Sequence, residues 1–289
     1  MKKIVILGCE NSHANNFLNF IRDDEKYKDI EVLGVYSHER EAAEKLSEEY
    51  GVKVMDDYAE AVGKVDGVIV TARHGDNHYK YAKPYITSGV PMFIDKPITV
   101  SEDEAISLMQ ECRDNGVRIT GGSSLKHTEV VKQLKDDYNE EEDGKTIGGF
   151  FRAPLNLNNP HGGFFFYSQH LTEMIATVFG PYPKSVLATQ KDKIVDVNFD
   201  YGDFIINGKY IDGSPLYYAT RHTIKKISGG LVGLDSSCFK AEFDEFYDLL
   251  CGGEQKISYE DFIAQVFVLN AIYRSIESGK EEKVKEFSL

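Results

Sequence analysis

A chain of 289 residues, 42% apolar and 12% aromatic, carries enough material for two hydrophobic cores and is not a globally disordered polymer. Its 47 acidic against 33 basic side chains give a formal charge of -14, which argues against nucleic acid or an anionic membrane surface as partner. No apolar run reaches the length of a membrane span or a signal peptide, and Cys9, Cys112, Cys238 and Cys251 have no paired spacing, so a soluble, reduced, cytoplasmic setting is expected.

From the start to residue 122 the chain alternates short apolar runs with amphipathic ones. "KIVIL" (3–7), "EVLGVY" (31–36), "DGVIVT" (66–71), "PMFI" (91–94) and "VRIT" (117–120) read as strands. Runs that are apolar throughout, rather than alternating, predict strands covered on both faces of a parallel sheet. Between them, "SHEREAAEKLSEEYGV" (37–52) predicts a helix ending at Gly51, and Asp57 with Glu60 predicts a shorter one. Ser101 and Glu104 form a capping box ahead of Ala105, Ile106, Met109 and Cys112 on one face, and Asn115-Gly116 stops that helix. The β-α-β alternation predicts an α/β fold, a Rossmann-type doubly wound parallel sheet with right-handed crossovers over residues 1–122.

The first turn is "GCENSHA" (8–14). A dinucleotide fingerprint asks for G-x-G-x-x-G/A here, and only Gly8 is in place; Glu10 holds the second glycine position and His13 the third. A carboxylate pointing inward from Glu10 would repel a pyrophosphate. Asn11 and Ser12 still supply a cap and donors, and the helix amides can hold phosphate whatever the side chains. At the end of the second strand, where an acid would bind a ribose hydroxyl, stands Ser37, followed by His38 and Arg40. That combination suits a 2′-phosphate, so both NAD and NADP remain open as cofactor.

Residues 123–289 read differently. After "GGSS" (121–124) come a helical run, "TEVVKQLKDDY", and the acidic loop "NEEEDGKT". Then follow "IGGFFRAPLNL", "KSVLATQ", "DFIINGKYI", "LYYATRH" and "HTIKKISGGLVGL", which alternate or carry β-branched residues and turn glycines. A helix near Gly163 is embedded among them, and two helices close the chain. An α+β domain on a mostly antiparallel open sheet is expected for 123–289.

In "FIDKPIT" (93–99) a lysine stands between an aspartate and a proline where an apolar run ends; the X-Pro bond there can be cis. The longer run "TARHGDNHYKYAKPYITSGVPMFIDKP" (71–97) resembles the T-P-x-x-H…G-x-x-V-x-x-E-K-P pattern of the glucose–fructose oxidoreductase/inositol dehydrogenase (Gfo/Idh/MocA) family. Thr71, His78, Gly89, Asp95, Lys96 and Pro97 fall in the expected order. "SYEDFIAQVFVLNAIYRSIESGKEEKV" is similar to the closing helix of that family. The resemblance implies a Rossmann domain carrying NAD or NADP, followed by a domain that supplies substrate contacts and oligomer interfaces. It also implies hydride transfer between nicotinamide and a hydroxyl- or carbonyl-bearing carbon of a small sugar, polyol or related metabolite. Carried over by position, Lys96 meets nicotinamide and the substrate hydroxyl, Asp95 lies near the nicotinamide ribose, and Thr71 and His78 belong to the cofactor site with Gly8, Asn11, Ser12, His13 and Ser37. A homodimer or homotetramer is expected, and no metal.

The proton chemistry points to "GGFFFYSQHLTEMI" (162–175). On a helix, Leu171, Met174, Ile175 and Val178 form an apolar stripe with His170 at its edge and Glu173 one step round. His170 matches the family's catalytic histidine, and imidazole suits proton exchange near neutrality. Many family members carry an aspartate four residues earlier; here that position is Phe166, and the adjacent Tyr167 is the candidate that rebuilds the proton path. Asn156 and His161, in "LNLNNPHGG" (155–163), suit polyol hydroxyls. Two alternatives stand beside the oxidoreductase: a nucleotide-binding sensory or regulatory protein with weak or lost catalysis, favoured by Glu10 and Phe166, and a redox-assisted lyase or hydrolase.

Overall fold

A computed structural model describes residues 1–289. In its first part strand and helix alternate: β1 (Lys2–Leu7), α1 (Ser12–Asp23), β2 (Ile30–Tyr36), α2 (Arg40–Tyr50), β3 (Gly67–Val70), α3 (Asp76–Ile86), β4 (Met92–Asp95), α4 (Glu102–Asp114) and β5 (Ile119–Gly122). The five strands pair in parallel in the order β2-β1-β3-β4-β5. Every residue of β3, β4 and β5 is buried, as expected for apolar runs with helices on both sheet faces. The strand order reverses at β1, which opens a crevice at the carboxyl ends of the strands. That is where the first turn lies.

Local signals account for most boundaries. Ser101 Oγ accepts from the Glu104 amide at 3.4 Å, and Gly51 closes α2 in the left-handed region at φ +69°. The helix expected at Asp57–Glu60 does not form; residues 58–63 are turns. Asp57 accepts from the amide of Ala59, two residues on, and Glu60 accepts from the Asp56 amide and pairs with Lys53, so neither side chain caps a continuing helix.

The second part contains α5 (Glu129–Asp136), a single helical turn α6 (Glu140–Asp143), β6 (Thr146–Leu155), α7 (Phe165–Phe179), β7 (Ser185–Lys191), β8 (Ile194–Asp200), β9 (Ile205–Asp212), β10 (Tyr217–Thr223), β11 (Ile227–Val232), α8 (Ser236–Leu250), α9 (Tyr259–Ser278) and β12 (Glu282–Lys283). Its sheet runs β11-β10-β6-β9-β8-β7-β12, antiparallel except for the β6–β9 pair. β8, absent from the expected strands, buries every second residue. Phe151, Phe199, Ile206 and Tyr210 on the sheet pack with Leu171, Met174 and Ile175 of α7 and with Leu269 and Ile272 of α9. The fold is therefore α/β, a Rossmann sheet followed by a mostly antiparallel seven-stranded sheet.

The chain divides into two units, one of Met1–Gly122, Phe239–Phe262 and Leu289, the other of Ser123–Cys238 and Ile263–Ser288. The expected division into 1–122 and 123–289 differs in one respect: residues 239–262 join the first unit. Their aromatic side chains explain it. Phe243 and Phe246 of α8 belong to the same buried cluster as Phe17, Tyr27 and Phe93, with Phe17 and Phe243 ring centres 5.0 Å apart. No helix is long and apolar enough to cross a membrane.

Candidate active site

The turn after β1 is shaped by one glycine. Gly8 has φ +76°, and a Cβ there would lie 2.4 Å from the backbone of Ala72, so neither the dihedral nor the space admits a side chain. Thr71, fully buried, donates its hydroxyl to Gly8 O at 3.1 Å. It braces from the end of β3 the turn at which a cofactor is expected. Asn11 occupies the N-cap of α1 without making a side-chain cap; its Nδ2 donates instead to Asp95 Oδ2 at 2.7 Å. Ser12 is exposed at the first helical position, with Oγ 3.3 Å from Asn11 Oδ1.

Glu10 does not point at the helix amides. Its carboxylate turns sideways to the end of β2, where Oε2 accepts from Ser37 Oγ at 2.7 Å and Oε1 accepts from the Arg73 amide at 3.0 Å. Ser37 thus holds a carboxylate rather than a 2′-phosphate. The neighbouring Arg40 is engaged by Glu44 and Asp56.

Lys96 follows β4, and the Lys96-Pro97 peptide bond is cis. Its side chain belongs to a buried charge cluster. Asp95 Oδ1 accepts from the Lys96 amide at 2.7 Å, and Oδ2 meets both Asn11 and His13 Nδ1, the latter at 3.2 Å. His13 Nε2 lies 3.3 Å from Glu242 Oε2. Lys96, Asp95, His13 and Glu242 are each less than one-tenth exposed. Burial lowers the Lys96 pKa, while Asp95 and Glu242 hold the fall back. For His13, burial also disfavours the charge, but Asp95 and Glu242 outweigh it and leave the imidazole raised against an opposing Lys96. The raised pKa favours the charged form of His13, whose ring on α1 faces Asp95 and Glu242, and Asp95 spends its oxygens inside this cluster. His78 is likewise internal: burial lowers its pKa, and its ring nitrogens face Ala72 O at 2.8 Å and Ile98 O at 3.2 Å. It ties the loop after β3 to the turn after β4, which leaves no ring nitrogen for the cofactor contact expected of it.

Glu242 had not been expected at all, yet a signal existed. Phe239, Glu242, Phe243 and Phe246 follow i, i+3, i+4, i+7, so an acid interrupts the apolar stripe of α8. His13 does the same on α1, among Ala14, Phe17 and Leu18.

In the second unit His170 lies on α7, buried, with Nδ1 2.7 Å from Ser123 Oγ. Its ring is 6.0 Å from that of Tyr167 and edge-on to Tyr217 at 5.9 Å. Glu173 Oε2 accepts from Gln169 Nε2 one turn back at 3.1 Å. Phe166 stacks near His161 and Tyr167, with ring centres 5.8 and 4.6 Å away. Asn156 and His161 sit half-buried in the loop before α7, where the His161 amide donates to Asn159 Oδ1.

Residues 2–123 match the family model described as an oxidoreductase family with an NAD-binding Rossmann fold. The matched stretch is the first parallel-sheet domain, so the likeness to the Gfo/Idh/MocA family is a likeness of this domain. No curated protein matches it in sequence. Among solved structures it is similar to myo-inositol 2-dehydrogenase from Lactobacillus plantarum (TM-score 0.86, 12% identity, covering 98% of this chain and 99% of that one). It is also similar to GenD2 of gentamicin A biosynthesis in complex with NAD (0.85, 15%, 99% and 97%) and to a myo-inositol dehydrogenase from Corynebacterium glutamicum (0.81, 16%, 99% and 100%). These likenesses establish the fold of the chain over nearly its whole length.

The first unit fits a dinucleotide. A groove of about 710 Å3 opens beside Cys9, Glu10, Asn15, Arg40 and Arg73, at the carboxyl ends of β1, β2 and β3. The α1 terminus carries no side-chain cap, and the Glu10 carboxylate is turned away from it.

Proposed function

We propose that the protein is an NAD(P)-dependent oxidoreductase acting on the hydroxyl- or carbonyl-bearing carbon of a small polyol, sugar or related metabolite. The observation that carries this reading is Lys96, buried just after β4 of an NAD-binding domain, where Asp95 and Glu242 favour its charged form against the desolvation. A buried lysine at the carboxyl ends of the strands is suited to meet a developing alkoxide. Bound nicotinamide supplies the hydride chemistry. The chain supplies charge and proton handling.

In this reading Lys96 stabilises negative charge on the reacting oxygen, and its lowered pKa brings it towards the range in which it can also exchange a proton. His170 is the acid/base. Ser123 at Nδ1 fixes the ring and assigns the exchange to Nε2. Tyr167, on the same helix face, relays the proton where an aspartate is replaced by Phe166. The polyol class is supported by two similar structures, both of myo-inositol dehydrogenases.

A titration of purified protein with NADH, followed by reduced-nicotinamide fluorescence, and then a turnover screen over inositols, aldoses and their acids test the reading. Saturable binding and turnover of one polyol are expected; absence of binding by either reduced nucleotide removes the assignment. A second reading, a sensory protein of the same fold, is favoured by Phe166, which packs against His161 and Tyr167 and brings no carboxylate of its own to the position four residues before His170. Tight nucleotide binding without turnover on the whole panel is its signature.

A further inference from the structure

Glu10 is a departure from the glycine fingerprint with a definite destination. A free carboxylate at the second glycine position would face the pyrophosphate, but this one is held at the end of β2 by two donors, Ser37 Oγ and the Arg73 amide. Ser37 is itself fixed, since its hydroxyl accepts from the Glu39 amide at 3.0 Å. The carboxylate therefore occupies the region where a dinucleotide fold usually places an acid carried by the second strand, and where this chain has only a serine.

We propose that Glu10, reaching across from the first turn, is the acceptor for the vicinal hydroxyls of the adenosine ribose, and that it makes the domain select NAD over NADP. The proposal rests on the oxidoreductase reading for the presence of a dinucleotide and deepens it. Each carboxylate oxygen accepts a hydrogen bond, and a carboxylate offers about four acceptor directions, so one remains on each oxygen for a hydroxyl. A 2′-phosphate brings about one and a half to two negative charges instead, with acceptor oxygens facing acceptor oxygens.

The surroundings do not offset that repulsion. Glu10, Glu39, Glu41 and Glu49 line the groove against Arg40, Lys45 and Arg73. Arg40 is bound at 3.1 Å by Glu44 and at 2.9 Å by Asp56, and the Arg73 guanidinium lies 3.9 Å from Glu39. Only Lys45, exposed on α2, is left without an ion pair among these cations, and one mobile lysine is a weak phosphate site.

Parallel titrations with NADH and NADPH, read by nicotinamide fluorescence on wild type and Glu10→Gln, test the proposal. Wild type is expected to bind NADH at least ~10-fold more tightly, and Glu10→Gln to lower that ratio at least ~10-fold by weakening NADH and admitting NADPH. Competition on wild type alone keeps the test alive if the variant does not fold: ADP-ribose displaces NADH and 2′-phospho-ADP-ribose does not. Equal or tighter NADPH binding, or a ratio unmoved by Glu10→Gln in a folded variant, overturns the proposal and leaves the oxidoreductase reading standing. Nucleotide binding that appears only in Glu10→Gln makes the side chain a plug and overturns it too. Binding of neither nucleotide by either protein removes both.

Discussion

Ser123 Oγ lies 2.7 Å from His170 Nδ1, within hydrogen-bond distance. In the proposed acid/base role Nε2 accepts while Nδ1 keeps its hydrogen, and the Ser123 hydroxyl is within reach to accept that hydrogen. Ser123→Ala is expected to lower kcat about 3- to 10-fold, the worth of one hydrogen bond, and to move the limb of the pH profile that belongs to His170. Ser123→Thr keeps the hydroxyl and should restore both. An unchanged pH profile in Ser123→Ala ends the positioning role.

Removal of either reacting group has a larger effect. Lys96→Ala and His170→Ala are each expected to cut turnover at least ~100-fold with nucleotide binding retained. Because burial lowers the Lys96 pKa, kcat/KM should fall as pH rises through a value below 10.5, and that alkaline limb should vanish or move up in Lys96→Arg. Near-normal rates in both alanine variants refute the assigned roles.

The pair formed by His13 with Asp95 and Glu242 gives stability a pH dependence. The folded imidazole has a raised pKa, so its contribution is fully present below the unfolded value near 6.5 and is lost as pH rises through the folded value. Wild type should exceed His13→Gln in Tm by the most below pH 6.5, with the gap closing above it. A gap constant across that range contradicts the buried imidazolium.

Gly8→Ala brings a Cβ to 2.4 Å from Ala72 at a positive φ. A loss of more than ~1 kcal/mol in urea unfolding is expected, since the conformation and the space both oppose the methyl group. A variant as stable as wild type would mean that the turn relaxes freely.

The alternation that announces the parallel sheet is legible because each strand is apolar throughout and each helix keeps one face. β8 escaped because "IVDVNFD" puts charged residues at alternate positions, which is also what a solvated loop offers. Lys96 and His170 stand out through short motifs. Their partners do not: Ser123 follows a glycine pair far from His170 in sequence, and Glu242 lies beyond strands β6 to β11. Glu10 is the sharpest case. Its identity was visible, and its apparent conflict with a pyrophosphate followed from position alone, but the direction of its carboxylate depends on Ser37, which only the β1–β2 pairing brings near.

The return of residues 239–262 to the first unit orders events on the ribosome. Phe17 and Tyr27 are among the earliest aromatic residues synthesised, yet Phe243, which packs on them, emerges only after strands β6 to β11 have been made. Until then the nascent nucleotide-binding half carries an open aromatic seam, and His13 waits with one of its two counter-charges missing. Completion of this half is thus a late, long-range closure rather than a local collapse, and a shortened transcript ending after β5 encodes an unfinished unit.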